Sequence, residues 1–495
     1  MGRHEGEVEQ HVTSEADTRR RWYALIVLCM GSLMIVLDST IVNVALPSIR
    51  QDLGFSQTSL AWVVNAYLLT FGGFLLLGGR LGDLYGHRRL FLTGITLFTA
   101  ASVCCGLATS QGFLVAARAV QGLGGAVASA VALSLMMNLF TEPVERAKAM
   151  GVFGFVAAGG GSLGVLLGGI LTDVLNWHWI FLVNVPIGVL VYFLSVRLLP
   201  TAHRSVAGTR LDVWGAVTVT SSLMLAVYAI VNGNQKGWTS GQTLGLLGGA
   251  VVLLAAFLAI ESRVSSPLMP LRLFKLRNVA TANVVGVMWA AAMFAWFFLS
   301  ALYLQLVLGY SPLQVGLAFL PANLIMGTFS LGLSAKIVMR FGIRKPLGIG
   351  LLLAATGLVL FTRAPVGGHF AVDVLPSMIL LGFGAGLAFN PVLLAAMSDV
   401  APEESGLASG LVNTSFMMGG ALGLAILASL AASRTDTLTA SGHGPLAALN
   451  GGYHLAFLVG AIFAISAAAL GAGVLRTSAV AAHGHAEAEP VSEAA

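Results

Sequence analysis

The sequence predicts an all-α integral membrane protein: two six-helix bundles with a further helix pair between them, fourteen spans in all. Three observations carry that expectation. Hydrophobic residues make up 57% of the 495 positions and charged residues only 9%, where a soluble protein carries about 25% charged residues. Apolar stretches of about 20 residues, the length that crosses a bilayer as a helix, recur from near Tyr23 to near Leu475. Nearly every Lys and Arg falls in alternate connecting segments, the asymmetry that sets orientation in a membrane.

In order, the apolar runs fall at 23–46, 59–79, 90–108, 112–138, 149–171 and 179–199, then 212–231 and 243–261. Six more fall at 281–305, 313–335, 346–364, 374–398, 404–431 and 453–475. With the N-terminus inside, the inner segments hold Arg19–Arg21, Arg80, Arg88, Arg89, Arg146, Lys148 and Arg197, with further cations around 204–210, 263–277 and 336–345. Of the 26 Lys and Arg, the outer loops keep Arg50, Lys236, Arg363 and Arg434, and Arg118 stands inside a span. A miscounted span would have scrambled that pattern. The inner loop from Asp399 to Glu404 is acidic and lends no support. An even count returns the C-terminus to the starting side, so both termini are expected in the cytoplasm and the chain in the cell's inner (plasma) membrane.

The longest polar joints, Pro200–Arg210 and Ser262–Asn278, bracket the seventh and eighth runs. The expected organisation is a cytoplasmic tail over 1–22, a six-helix bundle over 23–199 and a linker with two extra helices over 200–277. A second six-helix bundle follows over 278–475, then a disordered cytoplasmic tail over 476–495. The two sixes share a short signature. Asp83–Arg89 follows the second span and Met339–Lys345 follows the tenth, each with Gly two residues ahead of paired cations. Internal repeats are how many secondary transporters are built, with the substrate site at the repeat interface.

Other classes are disfavoured. No GxxxxGK[ST] phosphate loop is present, so ATP hydrolysis is not the expected energy source. No zinc motif or nucleophile elbow stands out, and no metal site, cofactor, enzymatic activity or nucleic-acid partner is expected. A signal peptide is not expected. Cys29, Cys104 and Cys105 lie in apolar runs and read as packing residues. A sensor or receptor would need a signalling domain that the tails are too short to supply.

The chemistry starts at Asp38. It lies about nine residues before Pro47, roughly 13 Å from the outer end of its helix at 1.5 Å per residue. Arg118 lies about six residues into a helix entering from outside, roughly 9 Å deep. Intramembrane ionisable groups mark ion or proton paths, or buried structural pairs. These two sit at similar depth and are expected to balance one another.

The run from Gly79 to Arg89 resembles the loop between helices two and three of the major facilitator superfamily. Arg118–Gly125 resembles its helix-four motif, and Gly160–Gly169 with Trp177–Gly188 resembles helix five and its exit. With Leu37–Pro47 and the extra helix pair, the chain is similar to the 14-helix drug:proton antiporter branch, over about residues 23–475. The resemblance implies that helices one and four line a central cavity and that Arg118 modulates protonation of Asp38. It implies a gating clasp among Gly79, Asp83, Gly86, Arg88 and Arg89. It also implies a helix-five glycine motif at Gly160, Gly164, Gly168 and Gly169, although this chain has Val165 where the motif has Pro.

Aromatic, Met and amide side chains suit a large, mostly apolar ligand. The substrate-binding candidates are Asn43, Trp289, Met293, Phe294, Gln305, Asn323, Asn390 and Asn413; each of the aromatics could equally be lipid-facing bulk. The expected function is a proton-coupled exporter of amphipathic small molecules such as drugs or antibiotics, working as a monomer by alternating access and drawing on the proton gradient alone. A symporter or importer of the same fold is the alternative.

Overall fold

The computed structural model describes residues 2–140, 142–200, 212–264, 267–400 and 404–475. The tail at 476–495 and the joint at 201–210 lie outside the described residues. Among the described residues all regular structure is helical. The first half comprises α1 (Gly2–Leu53), α2 (Trp62–Tyr85), α3 (His87–Gly106), α4 (Gln111–Leu139), α5 (Pro143–Val174), the short α6 (Trp179–Leu182) and α7 (Asn184–Leu198). Two further helices follow, α8 (Val213–Lys236) and α9 (Gly241–Glu261). The second half comprises α10 (Arg277–Leu302), α11 (Pro312–Thr328), α12 (Ser334–Phe341), α13 (Arg344–Phe361), α14 (Leu375–Met397), α15 (Ser405–Ala440) and α16 (Pro445–Val474). The helical backbone of α1 runs on through the segment expected as a polar tail, and it continues past Pro47.

Among the described residues, twelve helices are long and apolar enough to cross a membrane. Among the described residues, the fifth and tenth expected spans contribute only the shorter apolar helices Leu163–Val174 and Pro312–Thr328, although α5 itself runs over 32 residues. Length and composition therefore support twelve spans among the described residues and leave the count of fourteen as an expectation.

Helix ends follow local chemistry. Inside a membrane, backbone groups freed at a helix end must find a partner in the protein. Ser110 accepts from Phe113 N–H at the start of α4. Ser311 and Gln314 form a reciprocal capping box at the start of α11, with Pro312 in the first turn where its missing N–H costs nothing. Gly86 (φ 94°) and Gly342 (φ 75°) turn the chain between α2 and α3 and between α12 and α13, a left-handed conformation that a β-carbon disfavours.

Each half packs the same way. Number the six spans of each half in order, taking α6 and α7 as one span and α11 and α12 as one. The first span lies on the fifth and sixth, the second on the fourth, and the third on the fourth and sixth. Small residues allow the closest approaches. A β-carbon on Gly94 of α3 would stand 2.6 Å from the Ala128 nitrogen of α4. On Gly350 of α13 it would stand 2.9 Å from the Gly384 oxygen of α14. Backbone approach of this kind replaces the hydrophobic effect as the glue between helices in lipid.

The halves meet where α5 lies on α11, α2 on α15 and α1 on α10. The helix α8 touches both α2 and α15 and so straddles the seam. Outside it lies α9, with only 17% of its apolar window buried. Arg88 donates to the Val196 carbonyl and Arg344 to the Ala472 carbonyl, so cation-rich helix ends gather at one end of the molecule, the basic face.

Candidate functional site

The buried centre of the first half is a hydrogen-bonded network around Asp38. Asp38 and Arg118 are both fully inaccessible to solvent. Arg118 Nη1 donates to Asp38 Oδ2 at 2.5 Å and to Gln121 Oε1 at 2.6 Å. Arg118 Nε donates to the Val63 carbonyl of α2 at 2.9 Å. Asp38 Oδ1 accepts from Gln121 Nε2 and from Asn184 Nδ2, both at 2.8 Å. Gln121 Nε2 also donates to Ser102 Oγ at 2.8 Å, and the Cys105 thiol reaches Gln121 Oε1 at 3.6 Å. The guanidinium lies over the Tyr67 ring, 4.4 Å from its centroid, and 5.5 Å from that of Phe181. One carboxylate thus joins α1, α2, α3, α4 and the start of α7.

Burying this pair is costly unless each charge is met by an opposite charge and further donors. Asp38 meets that condition with three donors. Arg118 meets it less completely, because Nη2 has no hydrogen-bond partner and faces aromatic rings instead. The expected pairing of Asp38 with Arg118 appears as direct contact. Sequence reasoning missed Gln121, Asn184, Ser102, Cys105, Tyr67 and Phe181. Gln121 stood one turn after Arg118 on the same helix face, which was a usable signal. Asn184 was an amide in an apolar run, a weaker one.

The glycine motif holds α1 against α5. A β-carbon on Gly160 would touch Leu33 and Val36, on Gly164 it would lie 2.7 Å from the Leu37 carbonyl, and on Gly168 2.6 Å from that of Ile41. These contacts flank Asp38 one turn at a time. Gly169 faces the other half, 2.6 Å from the Pro312 carbonyl by the same measure. Val165 is fully buried, and its carbonyl lies against Gly316 of α11.

A second feature lies in the other half. Trp289, Phe389, Val392, Leu393, Val412, Asn413 and Phe416 line a small, partly open pocket between α10, α14 and α15. Trp289 Nε1 is buried without a partner, and Asn413 Nδ2 donates to the Ser409 carbonyl. Of the eight expected binding residues, Trp289 and Asn413 line this pocket. Phe294 stands behind it, 5.9 Å from Phe416 between ring centroids, and Met293 is partly buried beside the core. The others are elsewhere. Asn43 bonds the Thr40 carbonyl within its own helix. Asn323 is buried, with Nδ2 unpaired. Asn390 is half-buried and outside the lining. Gln305 Nε2 donates across the seam to the Val44 carbonyl at 2.8 Å. With Gly169 against Pro312, that bond closes the seam at the far face, and the pocket lies on the basic side of the closure.

The residues of the implied clasp lie at the turn between α2 and α3. Asp83 pairs with His87 at 3.3 Å, and Arg88 caps the end of α7 through the Val196 carbonyl. Gly86 makes the turn, Gly79 faces open space, and Arg89 is exposed.

A repeated pair of six-span bundles, a buried acid–base network in one and an apolar pocket in the other define a membrane transporter. Residues 28–424 match the model of the Major Facilitator Superfamily. The chain is 40% identical to the puromycin resistance protein of Streptomyces alboniger, over 90% of this chain and 89% of that one. It is 39% identical to the cephamycin export protein of Amycolatopsis lactamdurans, over 90% and 91%. It is 33% identical to the tetracenomycin C resistance and export protein of Streptomyces glaucescens, over 86% and 78%. A bacterial homologue of the human lysosomal transporter Spinster, solved facing inward, shares the fold with a TM-score of 0.64 and 16% identity, covering 91% of this chain and 96% of that one. The chain belongs to the Major Facilitator Superfamily and is a multi-pass membrane transporter.

Proposed function

We propose that this chain is a proton-coupled antiporter that exports amphipathic small molecules such as drugs or antibiotics, alternating between states open to opposite faces. It would work as a monomer in the plasma membrane, with both termini cytoplasmic and the proton gradient as its only energy source. The observation that carries the reading is the sealed Asp38–Arg118 pair. With both groups inaccessible, a proton can reach Asp38 only when helices around it move. Once Asp38 is neutral, Arg118 is a buried cation without its counter-charge, a state that a rearrangement of α1 and α4 would relieve. Proton binding and helix movement then share one equilibrium.

The export reading is supported by the relatives, whose names describe resistance to or export of puromycin, cephamycin and tetracenomycin C. The pocket supports an amphipathic ligand: six apolar or aromatic walls and one amide. Asp38 is not among its lining residues, so competition between proton and drug would act through helix position.

The test is transport by the reconstituted chain in proteoliposomes carrying an imposed pH gradient. Antiport moves drug against the proton flux, an uncoupler abolishes uphill movement, and Asp38→Asn loses gradient-driven transport while keeping drug binding. Drug moving with the proton flux would identify the importer or symporter. Uphill transport by Asp38→Asn at wild-type rates would remove Asp38 from the coupling.

A further inference from the structure

A second pair of buried acids lies far from Asp38, where the α8–α9 hairpin closes. Antiparallel packing brings the residue before α8, Asp212, to the last residue of α9, Glu261. Each side chain is only 4% exposed. Asp212 Oδ1 caps α8 by accepting from Gly215 N–H at 2.8 Å. Glu261 Oε2 accepts from Met269 N–H at 3.2 Å, in the linker that leads to α10. The remaining oxygens, Asp212 Oδ2 and Glu261 Oε1, are buried with no donor, and both acids sit at the same end of the hairpin, beside the cluster of Leu77, Ala216 and Leu268.

Two carboxylate oxygens are both acceptors, so they cannot bond one another unless a proton lies between them. Among the described residues, no cation forms an ion pair with either acid. Ala216, Leu77 and Leu268 pack nearby, backed by Phe74, Leu76 and Leu81. Of the charged groups on neighbouring elements, Asp83 on α2 pairs with His87, and Arg272 in the linker pairs with Glu404 ahead of α15. Arg80 on α2 and Arg263 after α9 make no ion pair with either acid among the described residues. Like charges buried at one end of such an apolar hairpin cannot both ionise cheaply.

We propose that Asp212 and Glu261 form a proton-binding site, one proton shared between two carboxylates, at the basic end of the α8–α9 hairpin and separate from Asp38. Holding the proton keeps α8 capped and the linker anchored through Met269. Releasing it places two negative charges in a closed apolar site. The hairpin end then opens, and the tether leading into α10 loosens. The extra helix pair thereby senses pH at the face where the pocket lies.

The experiment uses the full chain in lipid nanodiscs. Infrared difference spectra over a pH titration report protonated carboxyl groups, and hydrogen exchange with mass spectrometry reports protection of residues 262–276. The expected result is an acid carbonyl band at neutral pH in wild type and in Asp38→Asn. That band is lost in Asp212→Asn and in Glu261→Gln. Protection of the linker should fall as pH rises in wild type. It should persist across the titration in Glu261→Gln, because the amide supplies the donor that the proton supplied; Asp212→Asn supplies one from the other side if the first variant folds poorly. A band unchanged in both variants, or linker protection independent of pH in wild type, would overturn the proposal. So would loss of the band in wild type on adding calcium or magnesium, which would make this a metal site.

Discussion

The two bundles repeat one packing scheme and fill it with opposite chemistry. In both, the third span begins after a glycine with positive φ, and an Arg near its start caps the sixth span. Arg88 bonds the Val196 carbonyl in the first bundle, and Arg344 Nε bonds the Ala472 carbonyl at 2.8 Å in the second. The centres then diverge. The first bundle holds Asp38, Arg118, Gln121, Asn184 and Ser102 in one network. The second holds Trp289, Trp296, Phe298, Tyr303 and Tyr453, all nearly fully buried. A duplicated frame is divided between a bundle that stores a charge pair and a bundle that packs an aromatic core. The frame does not require the charges, so they are there for something other than folding.

The largest expected effect comes from breaking the pair on one side. Arg118→Ala leaves Asp38 buried without its cation, and removing one member of a buried pair costs about 3–5 kcal/mol. Arg118→Lys should cost less, since it keeps the charge and loses the fork that also bonds Val63 and Gln121. The double variant Asp38→Asn/Arg118→Gln should be more stable than the sum of its single changes, because neither charge is then stranded. Thermal unfolding in detergent measures each variant, the two single changes and their parent. Additive costs would mean the two residues do not act as a pair.

Next in size are two glycines that match across the repeat. Gly164 of α5 lies under α1, and Gly423 of α15 lies under α10 against Ala291. Changing either to Ala forces a tight helix pair apart, at about 1–3 kcal/mol for overpacking. The functional consequences should differ. Gly164 touches Leu37 and Thr40, on either side of Asp38, so Gly164→Ala should alter the pH dependence of transport. Gly423→Ala should lower stability by a similar amount and leave the pH dependence in place. A pH profile unmoved by Gly164→Ala would separate the charge network from the α1–α5 contact.

A smaller effect is expected at the pocket. Trp289→Phe keeps an aromatic wall and removes a buried indole N–H that has no partner, so the lost donor carries no penalty of its own and the stability change should stay near 1 kcal/mol. Drug affinities measured by binding should be reordered, with gradient dependence unchanged. Unaltered selectivity would move the substrate site away from this pocket.

What could be read without the structure was whatever depends on distance along a helix. Equal depth brought Asp38 and Arg118 together, and alternating basic loops arranged the spans. What depends on rotation about a helix axis was hidden. Asn413 and Asn323 are both amides in apolar runs, yet one lines the pocket and the other is packed away from it. Gln305 looked like a ligand residue and is a bond across the seam, because α10 passes into a π-helical turn at Tyr303–Val307 that shifts its register. A similar turn at Phe329–Leu333, with Gly332 at φ 111°, interrupts the tenth span, and apolar periodicity carries no mark of it.

The smallest effect is expected where the two loops differ. Asp83 and His87 form an ion pair one turn apart across Gly86, and the matching positions around Gly342 are Met339 and Ile343. The second loop keeps its turn and its Arg344 cap without such a pair, so the pair is not what shapes the first. Asp83 is 43% exposed and His87 22%, and exposed ion pairs contribute about 0–1 kcal/mol. Asp83→Asn should therefore change thermal stability by less than about 1 kcal/mol. Arg88→Ala should cost more, since it uncovers the Val196 carbonyl, and Arg344→Ala should cost about the same as Arg88→Ala. If Asp83→Asn instead matches Arg88→Ala, Asp83 has a partner in another state of the transporter, and the loop acts as a clasp that this conformation has released.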